Sequence, residues 1–149
     1  MYIPKVGTEF FRDLTALGGF TFYGLIMVLC LGLKEYSLFW LLFWGLVIEV
    51  AVVVAIRSFY FKKRPKPQDY HTFIQKLDAS SFPSLHTARV VLLWFVFSSF
   101  FNNYVVTSVL CIAGLLIAYS RIYLQKHDWW DLLGGAALGV GTYLLMWWV

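Results

Sequence analysis

Three short polar clusters interrupt an otherwise apolar chain of 149 residues. They are Arg57-x6-Arg64-Pro65, Pro83-Ser84-Leu85-His86 and Ser120-Arg121-x5-His127-x3-Asp131. Arginine forks match the geometry of phosphate oxygens, and an imidazole held by a carboxylate can attack a phosphorus atom. The clusters therefore predict a site that holds a tetrahedral oxyanion such as phosphate and attacks it with a histidine.

The last cluster predicts the nucleophile. His127 and Asp131 are four residues apart, so on a helix they share one face and the carboxylate can accept the proton of imidazole Nδ1. The Nε2 lone pair is then available to attack phosphorus. His86 begins another helix and is expected to protonate the leaving oxygen. Taken alone, Asp131 fits a helix cap equally well.

Phosphate ligands are expected from all three clusters, namely Arg57, Arg64, Ser84, Leu85 and Arg121. Pro83 suits the first turn of a helix, where unpaired backbone N–H groups attract an anion. The amides of Ser84, Leu85 and His86 are therefore predicted to point at the phosphate, and the Ser84 hydroxyl adds a donor. One arginine at the end of a membrane helix is usually an anchor, but the joint spacing favours phosphate binding.

The sequence does not predict a metal or another cofactor. No second group of carboxylates accompanies the clusters, so the arginines are expected to neutralise the phosphate. Cys30 and Cys111 lie in apolar stretches and are interpreted as small buried side chains. His71 lies in a polar stretch and is interpreted as solvated.

The rest of the chain is typical of an integral membrane protein. It is 60% hydrophobic and 13% charged, with a mean hydropathy of +0.72, whereas soluble domains carry about 25% charged residues. Five apolar stretches approach the roughly 20 residues that cross a bilayer. They are residues 15–33, 37–56, 84–101, 104–124 and 130–149.

These stretches predict an all-α, polytopic membrane helical bundle with about five transmembrane helices, forming a single domain over residues 1–149. Residues 1–14 are expected to form an interfacial helix, with Phe10, Phe11 and Leu14 on one side. Residues 62–82 are expected to form a loop on the active-site side, with a short helix over residues 70–77.

Span parity places the three polar clusters together. With five antiparallel spans, the second span ends where the third begins, and the fourth ends where the fifth begins, all on one membrane face. The first cluster follows the second span, the second cluster opens the third, and the last cluster joins the fourth to the fifth. A shared active site requires such convergence.

Two further features lie inside the apolar stretches. Gly135 and Gly139 form a small-xxx-small pair, which predicts close contact with another helix. Glu49 and Arg89 are ionisable and are expected to face the bundle interior. Arg89 is expected either to pair with Glu49 or Asp131 or to touch the substrate headgroup.

The charge balance indicates the partners. The formal net charge is +4 and the sequence pI is about 9.1, with most of the basic excess between apolar stretches. In a membrane protein this favours a lipid phosphate substrate and an anionic bilayer surface, not nucleic acid.

Together the clusters resemble the signature of the type 2 phosphatidic acid phosphatase superfamily, which is Lys-x6-Arg-Pro, Pro-Ser-Gly-His and Ser-Arg-x5-His-x3-Asp. The resemblance covers roughly residues 45–141. It implies His127 as nucleophile, Asp131 as its partner and His86 as general acid. It also implies phosphate binding by the five ligands named above.

Two positions depart from the family pattern. Arg57 replaces a lysine and keeps the charge. Leu85 replaces a glycine, and the resulting Pro-Ser-Leu-His motif is similar to the inositol phosphorylceramide synthase branch, which transfers a headgroup to a lipid. A lipid phosphotransferase is therefore an alternative to a phosphatase. A non-enzymatic lipid-binding protein is a second alternative, disfavoured by the intact His127–Asp131 pair.

The expected function is removal of the terminal phosphate from a lipid phosphate or diphosphate through a metal-independent phosphohistidine intermediate. The expected location is the inner or plasma membrane. The excess of lysine and arginine on the active-site face would place that face in the cytoplasm. The resemblance implies the opposite, a site on the periplasmic or extracytoplasmic face, and this is the orientation we expect.

Overall fold

A computed structural model describes residues 5–148, and within this range the regular secondary structure is entirely α-helical. The helices are α1 Lys5–Ala16, α2 Phe20–Gly32, α3 Tyr36–Phe59, α4 Phe73–Ala79, α5 Leu85–Phe101, α6 Tyr104–Tyr123 and α7 Trp129–Trp147. The five predicted apolar stretches correspond to α2, α3, α5, α6 and α7. The all-α bundle is therefore confirmed.

Fewer helices qualify as membrane spans than the five expected. Among the described residues, α3 and α6 alone are long and apolar enough to cross a membrane by themselves. Gly7–Ala16 and Phe20–Gly32 meet at a 40° bend and provide a third crossing if they form one broken span. The apolar helices α2 and α5 have 13 and 17 residues, which is shorter than the roughly 20 residues of a full span.

The apolar core lies where α2, α3 and α5 pack together. Tyr23, Leu42, Leu92 and Val96 are buried in one cluster, which also contains Cys30. The Tyr23 hydroxyl donates to the carbonyl of Leu42 over 2.9 Å, which satisfies the polar end of a buried ring. Cys30 is free and buried, as predicted.

Helix α7 packs directly on the backbone of α5. A Cβ atom on Gly135 would overlap the carbonyl oxygen of Ser84, and one on Gly139 would overlap that of Ala88. Only a residue without a side chain allows this approach. The predicted small-xxx-small contact is confirmed, and it fixes the start of α5 against the first turns of α7.

The loop over residues 62–82 contains the expected short helix, shifted along the chain. Residues 70–77 were predicted, whereas α4 runs from Phe73 to Ala79. Thr72 is the N-cap, because its side chain accepts from the amide of Gln75 while the Gln75 side chain accepts from the amide of Thr72. This reciprocal capping box sets the first helical residue at Phe73.

Helix α1 packs on α6, and its first predicted residues, 1–4, lie outside the described range. The ring of Phe11 lies 4.1 Å from that of Tyr123 and 5.9 Å from that of Tyr119. Phe10 is 58% exposed. The rings of Phe10 and Phe11 contact each other, with centroids 5.3 Å apart, as expected of residues on one side of α1, but only Phe11 packs against α6.

Candidate active site

The three polar clusters meet at one end of the bundle, as span parity predicted. An Arg57 Nη atom donates to the carbonyl of Pro83 over 2.9 Å, which joins the end of α3 to the start of α5. The Ser84 amide donates to the carbonyl of Asp131 over 3.0 Å, which joins α5 to α7. The His127 amide donates to the carbonyl of Arg121 over 3.2 Å, which closes the turn after α6.

His127 and Asp131 form a buried pair. Nδ1 of His127 lies 3.5 Å from Oδ2 of Asp131, and the two side chains are 3% and 0% exposed. The reason given for this pairing was wrong, because His127 is not on the helix. It precedes Asp128, the N-cap of α7, and Asp131 reaches back to it from the first turn.

Asp131 is held in place by three further donors. Its Oδ2 accepts from the Asp128 amide over 2.9 Å, so Asp131 also serves in a capping box, though not as the N-cap itself. Its Oδ1 accepts from Nζ of Lys62 over 2.9 Å and from Oγ of Ser81 over 3.3 Å. A carboxylate so constrained presents a fixed oxygen to the imidazole of His127.

Sequence reasoning missed Lys62. Its ammonium bridges Asp131 and Asp128, the latter at 2.6 Å. The residue lies inside the x6 spacing of the first cluster, where no pattern distinguishes it from Lys63. Burial acts to lower the pKa of Lys62, but hydrogen bonds to both aspartates outweigh it and raise that pKa.

Arg57 is engaged by the backbone before α5. Its guanidinium donates to the carbonyls of Leu77, Pro83 and Phe82 over 2.9, 2.9 and 3.4 Å. All three of its nitrogens take part, so the fork orders the segment that carries the second cluster. The structure places Arg57 as a support of that segment, while the sequence predicted a direct phosphate ligand.

Arg64 and Arg121 each keep an unpartnered donor. Arg64 donates to Oε1 of Gln68 over 2.9 Å and to the carbonyl of Asp78, and Arg121 donates to the hydroxyl of Thr15 over 2.9 Å. The Nε atoms of both arginines are buried without a partner among the described residues. Such orphaned donors are what an oxyanion would satisfy.

The start of α5 differs in detail from the prediction. Leu85 is the first helical residue and Ser84 is the N-cap, so Pro83 precedes the helix instead of lying in its first turn. The Ser84 amide is taken by Asp131, and the Ser84 hydroxyl accepts from the hydroxyl of Thr87 over 3.0 Å. Within residues 5–148, the amides of Leu85 and His86 have no acceptor, so these two remain available to an anion.

Arg89 contacts His86 and neither of its expected carboxylate partners. Its Nη2 lies 3.4 Å from Nδ1 of His86, and within the described part of the chain it has no ion pair with Glu49 or Asp131. Glu49 is fully buried, and neither of its oxygens has a hydrogen-bond donor among the described residues. Glu49 and Arg89 are nonetheless close enough to influence each other electrostatically.

The electrostatics of the site favour a neutral His127. Burial lowers the pKa of His127, nearby arginines act in the same direction, and the Asp131 carboxylate, 3.5 Å from Nδ1, opposes this only in part. A neutral imidazole has the lone pair that nucleophilic attack requires. His127, Arg121 and Arg64 interact with one another, as expected of side chains around one anion site.

An apolar groove of about 560 Å³ runs between α5, α6 and α7. Its walls include Val91, Trp94, Leu115 and Ala136, and its lining also includes Thr87. The Thr87 hydroxyl donates to Oγ of Ser84, so one end of the groove lies beside the second cluster. The groove is therefore continuous with the segment that begins α5.

Residues 5–148 contain no group of three or more histidine, cysteine, aspartate or glutamate side chains arranged to hold a metal ion. The cations near the His127–Asp131 pair include Lys62, Arg64 and Arg121.

A model of the PAP2 superfamily matches residues 38–149, three quarters of the chain. The chain belongs to the PAP2 superfamily. This confirms the family that the three motifs indicated. No curated protein sequence matches the chain.

Two solved structures share this fold. LpxE from Aquifex aeolicus superposes with a TM-score of 0.80 at 19% identity, over 99% of this chain and 88% of that protein. A transmembrane PAP2-type phosphatidylglycerolphosphate phosphatase from Bacillus subtilis superposes with a TM-score of 0.74 at 21% identity, over 97% and 76%. The chain is accordingly an all-α integral membrane protein.

Proposed function

We propose that this PAP2 protein is a membrane phosphatase that removes the terminal phosphate from a lipid phosphate or diphosphate. The observation that carries the proposal is the buried His127–Asp131 pair, 3.5 Å apart, beside the unpartnered Nε donors of Arg64 and Arg121. Nucleophile, orienting carboxylate and oxyanion donors are the three parts that phosphoryl transfer through a histidine needs.

The reaction proceeds in two displacements. Nε2 of His127 attacks phosphorus, an N–P bond forms, and the P–O bond to the lipid breaks with its electrons remaining on the leaving oxygen. Asp131 holds Nδ1–H and stabilises the positive charge that develops on the ring. A water molecule then attacks the phosphohistidine, the N–P bond breaks, and inorganic phosphate leaves.

The apolar groove supports an amphiphilic substrate. Its volume of about 560 Å³ lies within the range of ligand sites in proteins, and it opens beside Thr87 at the start of α5. A lipid tail in the groove would bring its headgroup to the amides of Leu85 and His86. A water-soluble phosphate ester would gain nothing from these apolar walls.

The decisive experiment is phosphate release in detergent from a panel of lipid phosphates and diphosphates. His127→Ala should lose activity by several orders of magnitude, because no other described side chain is paired for attack. His71→Ala is the matched control, since His71 is exposed in the loop and should keep full activity. Undiminished turnover by His127→Ala would exclude the proposed mechanism.

A lipid phosphotransferase is the second candidate, and the observation that favours it is Leu85. Its side chain is half-buried at the first position of α5, where its backbone amide has no acceptor among the described residues. If Leu85 screens water, Leu85→Gly should raise phosphate release and lower transfer to an alcohol acceptor. If it packs against the lipid, the same variant should raise KM with little change in kcat.

We further propose that the active site faces the periplasm or extracytoplasmic space. Lys66→Cys provides an exposed thiol in the active-site loop, whereas Cys30 is buried. A membrane-impermeant maleimide should label Lys66→Cys in intact cells more than it labels the wild type. If Lys66→Cys is labelled only after the cells are broken, the active site faces the cytoplasm instead.

A further inference from the structure

The junction between α1 and α2 lies against two residues of the active site. The hydroxyl of Thr15, near the end of α1, accepts from Nη1 of Arg121 over 2.9 Å. A Cβ atom on Gly18, in the bend, would lie 3.2 Å from Cδ2 of His86, so the bend packs closely on that ring. The junction precedes residues 38–149, which the family model matches. A segment outside the matched residues therefore reaches the site that the three motifs form.

One face of α1 holds this junction in place. Gly7, Phe11 and Thr15 follow one another at intervals of four residues and so share a face of the helix. The centre of the Phe11 ring lies 4.1 Å from that of Tyr123, and a Cβ atom on Gly7 would lie 2.8 Å from the Tyr123 hydroxyl. Thr15 is the next residue along the face that packs on α6. Its contact with Arg121 is therefore set by the packing of the whole helix.

The Thr15 hydroxyl is used for this contact and not within its own helix. A helical threonine commonly bonds to the backbone carbonyl one turn earlier. Within residues 5–148, the hydrogen-bond partner of the Thr15 side chain is instead Arg121, 106 residues further along the chain. Valine has the shape of threonine without the acceptor, so packing on α6 does not by itself require a hydroxyl here.

The contact leaves the other edge of the Arg121 guanidinium free. The Nε and Nη2 hydrogens point in parallel from the edge that does not include Nη1, and such a pair binds two oxygens of a phosphate at once. Nε of Arg121 is buried without an acceptor among the described residues. Thr15 and an oxyanion can therefore bind the same guanidinium without competing for a donor.

We propose that Thr15 is a positioning residue, which accepts from Nη1 of Arg121 and thereby turns the Nε–Nη2 edge towards the phosphoryl group. The inference rests on the proposed phosphatase function and adds α1 to the elements that build its site. Without the hydroxyl, the Arg121 side chain is free to rotate and its parallel donors lose their alignment. A misplacement of about 1 Å in such a group can cost roughly 10²-fold in rate.

Orthovanadate, a phosphate mimic, tests the proposal without turnover. Its Kd is measured by isothermal titration calorimetry on the full-length protein in detergent. Thr15→Val should weaken binding by about 10-fold or more, because aligned hydrogen bonds to a charged group are lost. Thr15→Ser keeps the acceptor and should bind as the wild type does. Thr21→Val is the matched control and should change nothing, since Thr21 is exposed on α2.

A double-mutant cycle separates positioning from packing. Arg121→Met has no guanidinium to align, so adding Thr15→Val to it should change the Kd for orthovanadate little. An equal loss in both backgrounds would overturn the proposal, because Thr15 would then act through the fold. Wild-type affinity in Thr15→Val would overturn it as well. If Thr15→Val does not fold, Thr15→Ala replaces it, since alanine also lacks the acceptor and is too small to clash.

The contact itself is visible in the side-chain signals of Arg121. In full-length protein labelled with ¹⁵N-arginine, the bond to Thr15 should slow rotation of the Nη1 group and resolve its hydrogens. These signals, assigned by their loss in Arg121→Met, should merge in Thr15→Val and stay resolved in Thr15→Ser. Unchanged signals in Thr15→Val would overturn the proposal. If the wild-type protein does not bind orthovanadate, the proposed function fails instead, and the Nη1 signals still decide whether Thr15 holds Arg121.

Discussion

The Nζ atom of Lys62 lies 2.9 Å from Oδ1 of Asp131, and through this contact the loop after α3 is fastened to the first turn of α7. The same ammonium contacts Asp128, the N-cap of α7. Lys62 thus balances the charge of the carboxylate that faces His127 and limits the positions it can adopt. A lysine that is not one of the motif residues therefore supports the His127–Asp131 pair.

Lys62→Met should weaken both stability and turnover. A hydrogen bond to a charged group is worth about 1.5–3 kcal/mol, and its removal frees Asp131 to move away from His127. We expect a lower free energy of unfolding and a reduced kcat with KM nearly unchanged, measured by detergent-solubilised unfolding and steady-state phosphate release. Lys63→Met is the matched control, since Lys63 is exposed. Equal effects of Lys62→Met and Lys63→Met would show that Lys62 does not support the site.

The acid limb of the pH–rate profile, where activity falls as pH drops, should reflect the protonation of His127. Burial places the pKa of His127 below its usual value of about 6.5, so the neutral nucleophile persists to lower pH than in a free histidine. Activity should therefore stay level at pH values above the lowered pKa of His127 and fall only below it. Because Asp131 acts to raise this pKa, Asp131→Asn should move the limb to lower pH while reducing kcat.

The control for this profile is His71→Gln, which should leave the limb in place because His71 lies exposed in the loop. A limb that moves to higher pH in Asp131→Asn would mean that another group limits the rate. The measurement is kcat/KM against pH, which reports groups of the free enzyme.

Arg57→Lys should destabilise the protein, although lysine keeps the positive charge of arginine. Lysine is a point donor and cannot reach the carbonyls of Leu77, Phe82 and Pro83 together, as the arginine fork does. Each buried carbonyl left without a donor costs about 1–3 kcal/mol. Thermal unfolding should show a clear loss of stability for Arg57→Lys and no loss for Arg12→Lys, since Arg12 is exposed. An unchanged Arg57→Lys protein would contradict the supporting role.

Sequence patterns predicted that the three clusters converge, because spacing and span parity depend on few physical rules. Pairing of His127 with Asp131 was predicted correctly, but through a helix that does not include His127. Lys62 and the carbonyl partners of Arg57 were missed, since loop folding and not local periodicity brings them into contact. Arg89 was expected either to pair with a carboxylate or to touch the substrate headgroup. Its contacts with Phe20 and His86 were missed, because sequence gives no measure of which side of α5 meets these residues.

The packing of α7 on α5 gives a test with an internal control. Gly135 touches the Ser84 carbonyl, whereas Gly141 on the same helix has nothing within 4 Å of a Cβ atom. Gly141→Ala should be neutral or stabilising by up to about 1 kcal/mol, because alanine is the better helix former. Gly135→Ala must push α7 away from Ser84, which lengthens the Ser84 amide contact with Asp131, now 3.0 Å. We therefore expect a loss of both stability and kcat at Gly135 alone, measured by thermal unfolding and phosphate release. If both variants behave alike, close contact at Gly135 is not what holds Asp131 against the start of α5.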